Sequence, residues 1–225
     1  EINQLVLEGL FAKVEEITTT QELVKEKYLS NLHIQVIVLD HIRENKKRRT
    51  YQEEMEYLAT SPPKNNFISK LAKGLNGNTL ILAQYIKQLQ TITLILASYK
   101  EDRRIFFVDG GTPAKDREKI RSIVEEEENA IIVASYGVFS MGINIKRLHN
   151  IIFASPYKSQ IKVLQSIGRG LRLTEDKTQC TLFDIADDLS YNKNSNFTLK
   201  HLEERIKIYS TQEFEYEIIP VRLKS

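Results

Sequence analysis

Five short apolar runs constrain the fold of this chain more than any other feature: TLILA at 79–83, IFFVDG at 105–110, IIVAS at 131–135, IIFASP at 151–156 and TLFDIAD at 181–187. Each is nearly continuous in hydrophobicity, as expected of strands whose two sheet faces are both covered. The stretches between them are long enough for amphipathic crossover helices, so the expected architecture is α/β, a parallel sheet with helices on both faces. Ligands of such sheets bind in loops beyond the carboxyl ends of the strands. Upstream, IQVIVLD at 34–40 is a further β-branched strand and reads as an edge or a remnant of something preceding it. The KKRR run at 46–49 and the SPPKNN stretch with Pro62 and Pro63 punctuate the passage into a better organised region, which places the main domain from about residue 65 to 190. From Thr198 the tail reads as an amphipathic helix followed by a final short strand.

Composition narrows the function classes. The chain has 225 residues, 41% hydrophobic and 28% charged, and no apolar run approaches the roughly 18 residues of a membrane span. The beginning, EINQLVLEGL, lacks the basic flank and apolar core of a signal peptide, so the expected location is cytoplasmic. Lysine plus arginine number 32 against 30 aspartate plus glutamate, so net charge alone does not point to nucleic acid. The KKRR run reads either as a phosphate contact or as a solvated loop. Cys180 lies among apolar residues and reads as a buried small side chain. His33, His41, His149 and His201 are scattered without ligand-spaced partners, so a metal site is not expected. Asp187 and Asp188, at the end of a strand run, read as a cap for the next helix.

The chemistry-bearing segment is QSIGRGLR, Gln165 to Arg172. In a helix beginning near Lys162, Arg169 and Arg172 are three apart and share a face, so two guanidinium groups can meet one polyanion. Arginine keeps its charge and offers phosphate oxygens a planar fork, which suits phosphoryl transfer. Gly168 and Gly170 allow close approach, at about 1 kcal/mol each in a helix interior. Immediately upstream, IIVASYGVFSMGINIKRLHNIIFASP gives a strand, small residues, a loop with Gly142 and Asn144, and another strand.

In that order and spacing, ASYGVFSMGINI resembles motif V and QSIGRGLR motif VI of the superfamily 2 helicases. TLILA resembles the motif IV strand, and FFVDGGTPAKDREKI the strand, glycine turn and helix that follow it. The resemblance covers residues from about 65 to 190. It is greatest to UvsW-type phage helicases, which act on branched DNA in recombination and replication-fork processing. It implies a RecA-like second motor lobe, with residues 1–60 as the end of the first lobe and the interlobe linker, and 191–225 as an extension.

Carried over by position, the resemblance makes Arg172 the arginine finger, Arg169 a contact to the terminal phosphate, and Gln165 a residue near the phosphates or attacking water. Gly142 and Asn144 would help bind the nucleotide ribose or couple the site to the strand, and Gly168 would serve the nucleotide. Ser135, Gly110, Gly111 and Thr112 would approach the backbone of the tracked strand. Ser166 stands where many relatives have arginine, and Asn144 where many have aspartate. The implied cofactors are ATP and Mg2+. The implied partners are DNA, branched or forked, and the first RecA-like lobe of the same polypeptide, with RNA as a further substrate; for a phage protein the location is the bacterial host cytoplasm. A phosphate-cradling G-x-x-x-x-G-K-[ST] loop does not occur in the 225 residues, so the chain by itself is not expected to hydrolyse ATP. The alternative is a stand-alone nucleic-acid-binding lobe, or one supplying its arginines in trans.

Overall fold

The computed structural model describes residues 31–100, 102–140, 147–155, 179–192 and 194–224. Their strands are β1 (Asn31–Asp40), β2 (Thr79–Ala83), β3 (Ile105–Val108), β4 (Ile131–Ser135), β5 (Asn150–Phe153), β6 (Gln179–Asp188) and β7 (Tyr216–Arg222). They form one sheet in the order β3-β4-β2-β5-β6-β1-β7, every pairing parallel. The helices are α1 (Tyr51–Thr60), α2 (Pro62–Gly74), α3 (Ile86–Ser98), α4 (Ala114–Glu126), α5 (Tyr136–Ser140) and α6 (Phe197–Thr211). This is the parallel sheet with helices on both faces that the five apolar runs imply, and the RecA-like fold that the motif resemblance implies.

Alternation along the strands builds two cores. Leu80, Leu82, Ile132, Ile151 and Leu182 meet Val124 of α4, Val138 of α5, and Leu202 and Tyr209 of α6. Ile81, Val133, Ile152 and Ile185 meet Ile68 of α2 and Leu89 and Ile92 of α3 on the opposite face. All five residues of β2 are buried, because it lies between β4 and β5 with a helix layer on either side. Each such aliphatic side chain contributes roughly 1.5–3 kcal/mol by leaving water. Cys180 is buried in the first of these cores.

The strand expected as an edge or remnant is an interior strand of this same sheet. β1 runs in register with β6 from Asn31 opposite Gln179 to Asp40 opposite Asp188, and its other side pairs with β7. The cause is visible in its sequence: Ile34 and Val36 pack into one core while Ile37 and Leu39 pack into the other, so both of its faces need cover. The edge position goes to β7, which carries Pro220 and leaves Ile218 half exposed.

Local signals set the helix starts. Thr50 and Glu53 form a reciprocal capping box at α1: the Glu53 amide donates to Thr50 Oγ1 at 3.3 Å, and the Thr50 amide to Glu53 Oε2 at 2.7 Å. Pro62 and Pro63 open α2, where a missing amide hydrogen costs nothing.

At the amino-terminal edge of the sheet, polar side chains close the turns. Arg103 donates to the carbonyl oxygens of Ala72 and Leu75 at 2.7 Å each, of Gly77 at 2.7 Å and of Asn129 at 3.0 Å, and to Thr79 Oγ1 at 2.9 Å. Buried Asn78 donates to the carbonyls of Val124 and Glu127 and accepts from the Ala130 amide. Gly77 sits at φ 84° against His149, in a turn that leads into β2. No helix among the described residues is long and apolar enough to cross a membrane.

Candidate nucleic-acid interface

Because the strands are all parallel, the loops after β1 to β7 gather at one edge. The sequence-expected site residues that the structure describes, Gly110, Gly111, Thr112 and Ser135, all lie there. Arg172, Arg169, Gln165, Gly142, Asn144 and Gly168 fall outside the described residues.

The loop after β3 is self-braced. The Asp109 amide donates to Thr112 Oγ1 at 3.0 Å, while that hydroxyl donates to Asp109 Oδ1 at 3.2 Å. The Gly111 amide donates to Asp109 Oδ1 at 3.0 Å, and the Thr112 amide to the Asp109 carbonyl at 3.1 Å. Thr112 therefore shapes the turn with its hydroxyl, and Gly110 and Gly111 are its exposed part. Neither glycine adopts a positive φ, and a Cβ added at Gly110 would meet nothing within 4 Å.

Ser135 ends β4 one strand away, half-buried opposite Ala83 of β2. Its hydroxyl makes no hydrogen bond among the described residues. Its surroundings are held by a relay that sequence reasoning missed: Tyr136 Oη donates to the Ser155 carbonyl at 2.8 Å, and the Gln84 amide donates to Ser155 Oγ at 2.8 Å. These bonds tie together the ends of β4, β5 and β2. Buried Gln88 adds a bond from Nε2 to Asn65 Oδ1 at 3.1 Å, joining α3 to α2.

Asp187 does not cap the next helix. That helix, α6, starts after Asn196, and its first amides, Phe197 and Thr198, donate to Glu54 of α1 at 3.1 and 2.9 Å. Asp187 is fully buried beneath the edge, accepting from His41 Nε2 at 2.9 Å and from the equally buried Lys64 of α2. Burial raises its pKa, but the Lys64 charge and the His41 bond outweigh that, and the carboxyl lies below its ordinary value. Asp188 accepts from the Ser190 amide at 2.8 Å and faces Lys46 at 3.6 Å. A second buried cluster joins β6 to α6: Arg205 Nε and Tyr209 Oη donate to Asp184 Oδ2 at 2.8 and 2.9 Å. Burial works against the charge on Arg205, yet Asp184 holds its pKa above the usual arginine value; burial and Asp184 together push the Tyr209 phenol well up. Among the described residues no group of three or more His, Cys, Asp or Glu could hold a metal ion. Asp184 and Asp187 are committed to cations of the chain itself.

Residues 63–174 match the helicase conserved C-terminal domain. Over 231 aligned residues the chain is 32% identical to the ATP-dependent DNA helicase uvsW of Enterobacteria phage T4, an alignment that takes in 96% of the chain. This chain belongs to the superfamily 2 helicases as a C-terminal RecA-like lobe. It spans about half the length of that relative, 46%. The crystal structure of T4 UvsW superimposes with a TM-score of 0.74 at 31% identity, covering all of this chain and 46% of that one. A putative HsdR subunit of a type I restriction enzyme from Vibrio vulnificus superimposes with a TM-score of 0.71 at 13% identity over 99% of this chain and 42% of that one, which shows a shared fold.

Proposed function

We propose that this helicase lobe is the second motor lobe of an ATP-dependent DNA helicase or translocase that remodels branched or forked DNA in recombination and replication-fork repair. The observation that carries this is the 32% identity to a phage ATP-dependent DNA helicase along nearly the whole chain. The lobe closes on a first RecA-like lobe of the same polypeptide over ATP. Opening and closing of that cleft advances the protein along a strand held at the carboxyl-terminal edge of the sheet.

In this mechanism Gly110 and Gly111 admit the phosphate backbone, since nothing within the chain's own packing requires glycine at 110. The Ser135 hydroxyl, unengaged among the described side chains, hydrogen-bonds a phosphate oxygen. Thr112 holds the loop in shape. Arg172 reaches the terminal phosphate when the cleft closes and stabilises the charge that develops there, with Arg169 beside it and Gln165 near the attacking water. Gly142 and Asn144 would bind the nucleotide ribose or couple its site to the strand, and Gly168 would serve the nucleotide. Mg2+, when bound with ATP, neutralises phosphate charge. Asp184 and Asp187 are held by Arg205 and Lys64 and the sequence contains no G-x-x-x-x-G-K-[ST] loop, so the first lobe would supply the carboxylate ligands and the phosphate-cradling loop. Such contacts read backbone and not base sequence, so RNA-containing strands are accommodated in the same way.

The test is Arg172→Ala in the complete protein. DNA-stimulated ATP hydrolysis falls by about three orders of magnitude or more while nucleic-acid binding and melting temperature persist. Near-normal turnover would sink the assignment. Stimulation by fork, junction, linear duplex and single-stranded substrates, DNA and RNA, identifies the preferred structure.

A further inference from the structure

The same edge carries a second feature, separate from the motif loops. Between the β1–α1 loop and the β6–α6 loop lies a cavity of about 510 Å³, lined among others by Lys47, Arg48, Arg49, Tyr191, Asn192 and Asn194. The four cations of the KKRR run divide into two pairs. Lys46 is held by Asp40 at 2.7 Å and Asp188 at 3.6 Å. Arg49 donates to the Asn45 carbonyl at 2.8 Å and stacks over the Tyr57 ring at 4.3 Å. Lys47 and Arg48 are exposed, and their side chains make no hydrogen bond or ion pair among the described residues. The first pair fixes the loop and the second is left to face solvent at the cavity.

The opposite wall is equally built. Backbone hydrogen bonds of 3.2 and 3.0 Å between Tyr191 and Asn194 close a tight turn, with Asn192 at φ 49°. The turn leaves the Tyr191 ring 45% exposed. Beneath it, Asn196 donates to Glu54 Oε1 and to the Asp187 carbonyl at 2.9 Å each, so the floor is tied to α1 and to β6. Among the described residues the only carboxylate lining the cavity, Glu54, is buried and accepts from three donors of this loop.

We propose that this cavity is a second binding site for a single nucleic-acid strand, in which Lys47 and Arg48 meet phosphates and Tyr191 stacks on an unstacked base. The inference rests on the helicase reading above. Its volume suits one nucleotide, whereas a duplex backbone needs only a convex or flat basic surface. An exposed aromatic ring beside cations is the combination that single strands engage. The side-chain amides of Asn192 and Asn194 both donate and accept, which matches base edges better than it matches an acidic peptide. In the sheet order, β1 stands five strand spacings from β3, or about 24 Å at ~4.8 Å per strand. The cavity is therefore a separate holdfast along the same edge as Gly110, placed to retain a second arm or the displaced strand of a branch.

The experiment measures binding of the complete protein to a labelled single-stranded thymidine oligonucleotide, an equivalent RNA and a blunt DNA duplex, across a salt series. Lys47→Ala/Arg48→Ala lowers the single-strand salt slope by about 1.4, about 0.7 for each phosphate that is no longer neutralised. Tyr191→Ala weakens single-strand binding roughly tenfold and leaves duplex binding within about twofold. All three residues are exposed, so melting temperatures stay at the parental value, and basal ATP hydrolysis stays with them. Parental affinity and slope in both variants overturn the cavity site alone. Equal losses on duplex and single strand overturn its single-strand character, and competition by polyglutamate as strong as by oligonucleotide assigns the cavity to an acidic partner instead. A parent protein that binds no nucleic acid overturns the helicase reading as well.

Discussion

The two edges of the sheet are built on opposite principles. At the amino-terminal edge the polar side chains are engaged by the chain: Arg103 bonds five carbonyls and a hydroxyl, the Asn78 side chain makes three bonds, and Gly77 is wedged against His149. At the carboxyl-terminal edge the side chains that face outward are left with capacity. Gly110 has open space, the Ser135 hydroxyl has no bond among the described residues, and the Lys47 and Arg48 side chains make no hydrogen bond or ion pair there. What stabilises this second edge lies beneath it, in Asp187 with Lys64 and His41, and in the Ser155 relay. Substitutions at the amino-terminal edge and at the buried supports should cost stability, whereas substitutions at the carboxyl-terminal rim should cost binding.

The largest effect is expected beneath the rim. Asp187→Ala strands the fully buried Lys64 without a counter-ion and lowers stability by about 3–5 kcal/mol, measured by urea unfolding. The pH dependence has a definite sign. The folded-state pKa of Asp187 is lowered, so between its folded and unfolded values the unfolded chain binds more protons than the native one. Its contribution is complete above the unfolded value of about 4 and is lost as pH falls through the folded value. The parent should therefore lose stability below pH of about 4 more steeply than the Asp187→Ala variant; parallel curves would remove Asp187 from the supports. Next comes Arg103→Ala, which frees six acceptors at the opposite edge and costs about 2–4 kcal/mol, with nucleic-acid affinity unchanged.

The strands were legible because burial on both faces writes itself into composition. TLILA and IIVAS coincide with β2 and β4 residue for residue, and the helix and final strand of the tail lie where the periodicity puts them. The location of β1 was not legible, although its sequence was read as a strand. Its partners are residues 179–188 and 216–222, and no local signal reports a pairing at that separation. Asp187 was misread for a related reason. Lys64 and His41 stand 123 and 146 residues away, so a carboxylate at a strand end looked like a helix cap when it is half of a buried ion pair. Pro62 and Pro63 mark the start of α2 but do not report that this helix turns Lys64 inward. At the rim, the motif resemblance points to Gly110, Gly111, Thr112 and Ser135 as residue types, and the structure adds what spacing does not contain: the Thr112 hydroxyl is engaged with Asp109 of its own loop. The division of the KKRR run into structural and spare cations depends on distances that spacing along the chain does not contain.

The smallest stability effect is the sharpest test of the contrast, because it sets one glycine against another. Gly77→Ala places a Cβ 2.6 Å from the His149 ring at a φ of 84°, and such strain costs about 1–3 kcal/mol. Gly110→Ala introduces the same methyl group into open space at an ordinary φ, so its stability change stays within about 0.5 kcal/mol. In binding the order reverses. A methyl at Gly110 occupies the space through which a phosphate backbone would approach, and single-strand affinity of the complete protein falls, whereas Gly77→Ala, at the far edge, leaves affinity per folded molecule unchanged. Thermal melts and anisotropy titrations on the two variants separate these outcomes. If Gly110→Ala binds as the parent does, the glycine after β3 has no ligand to admit, and the carboxyl-terminal rim loses the first of its proposed contacts.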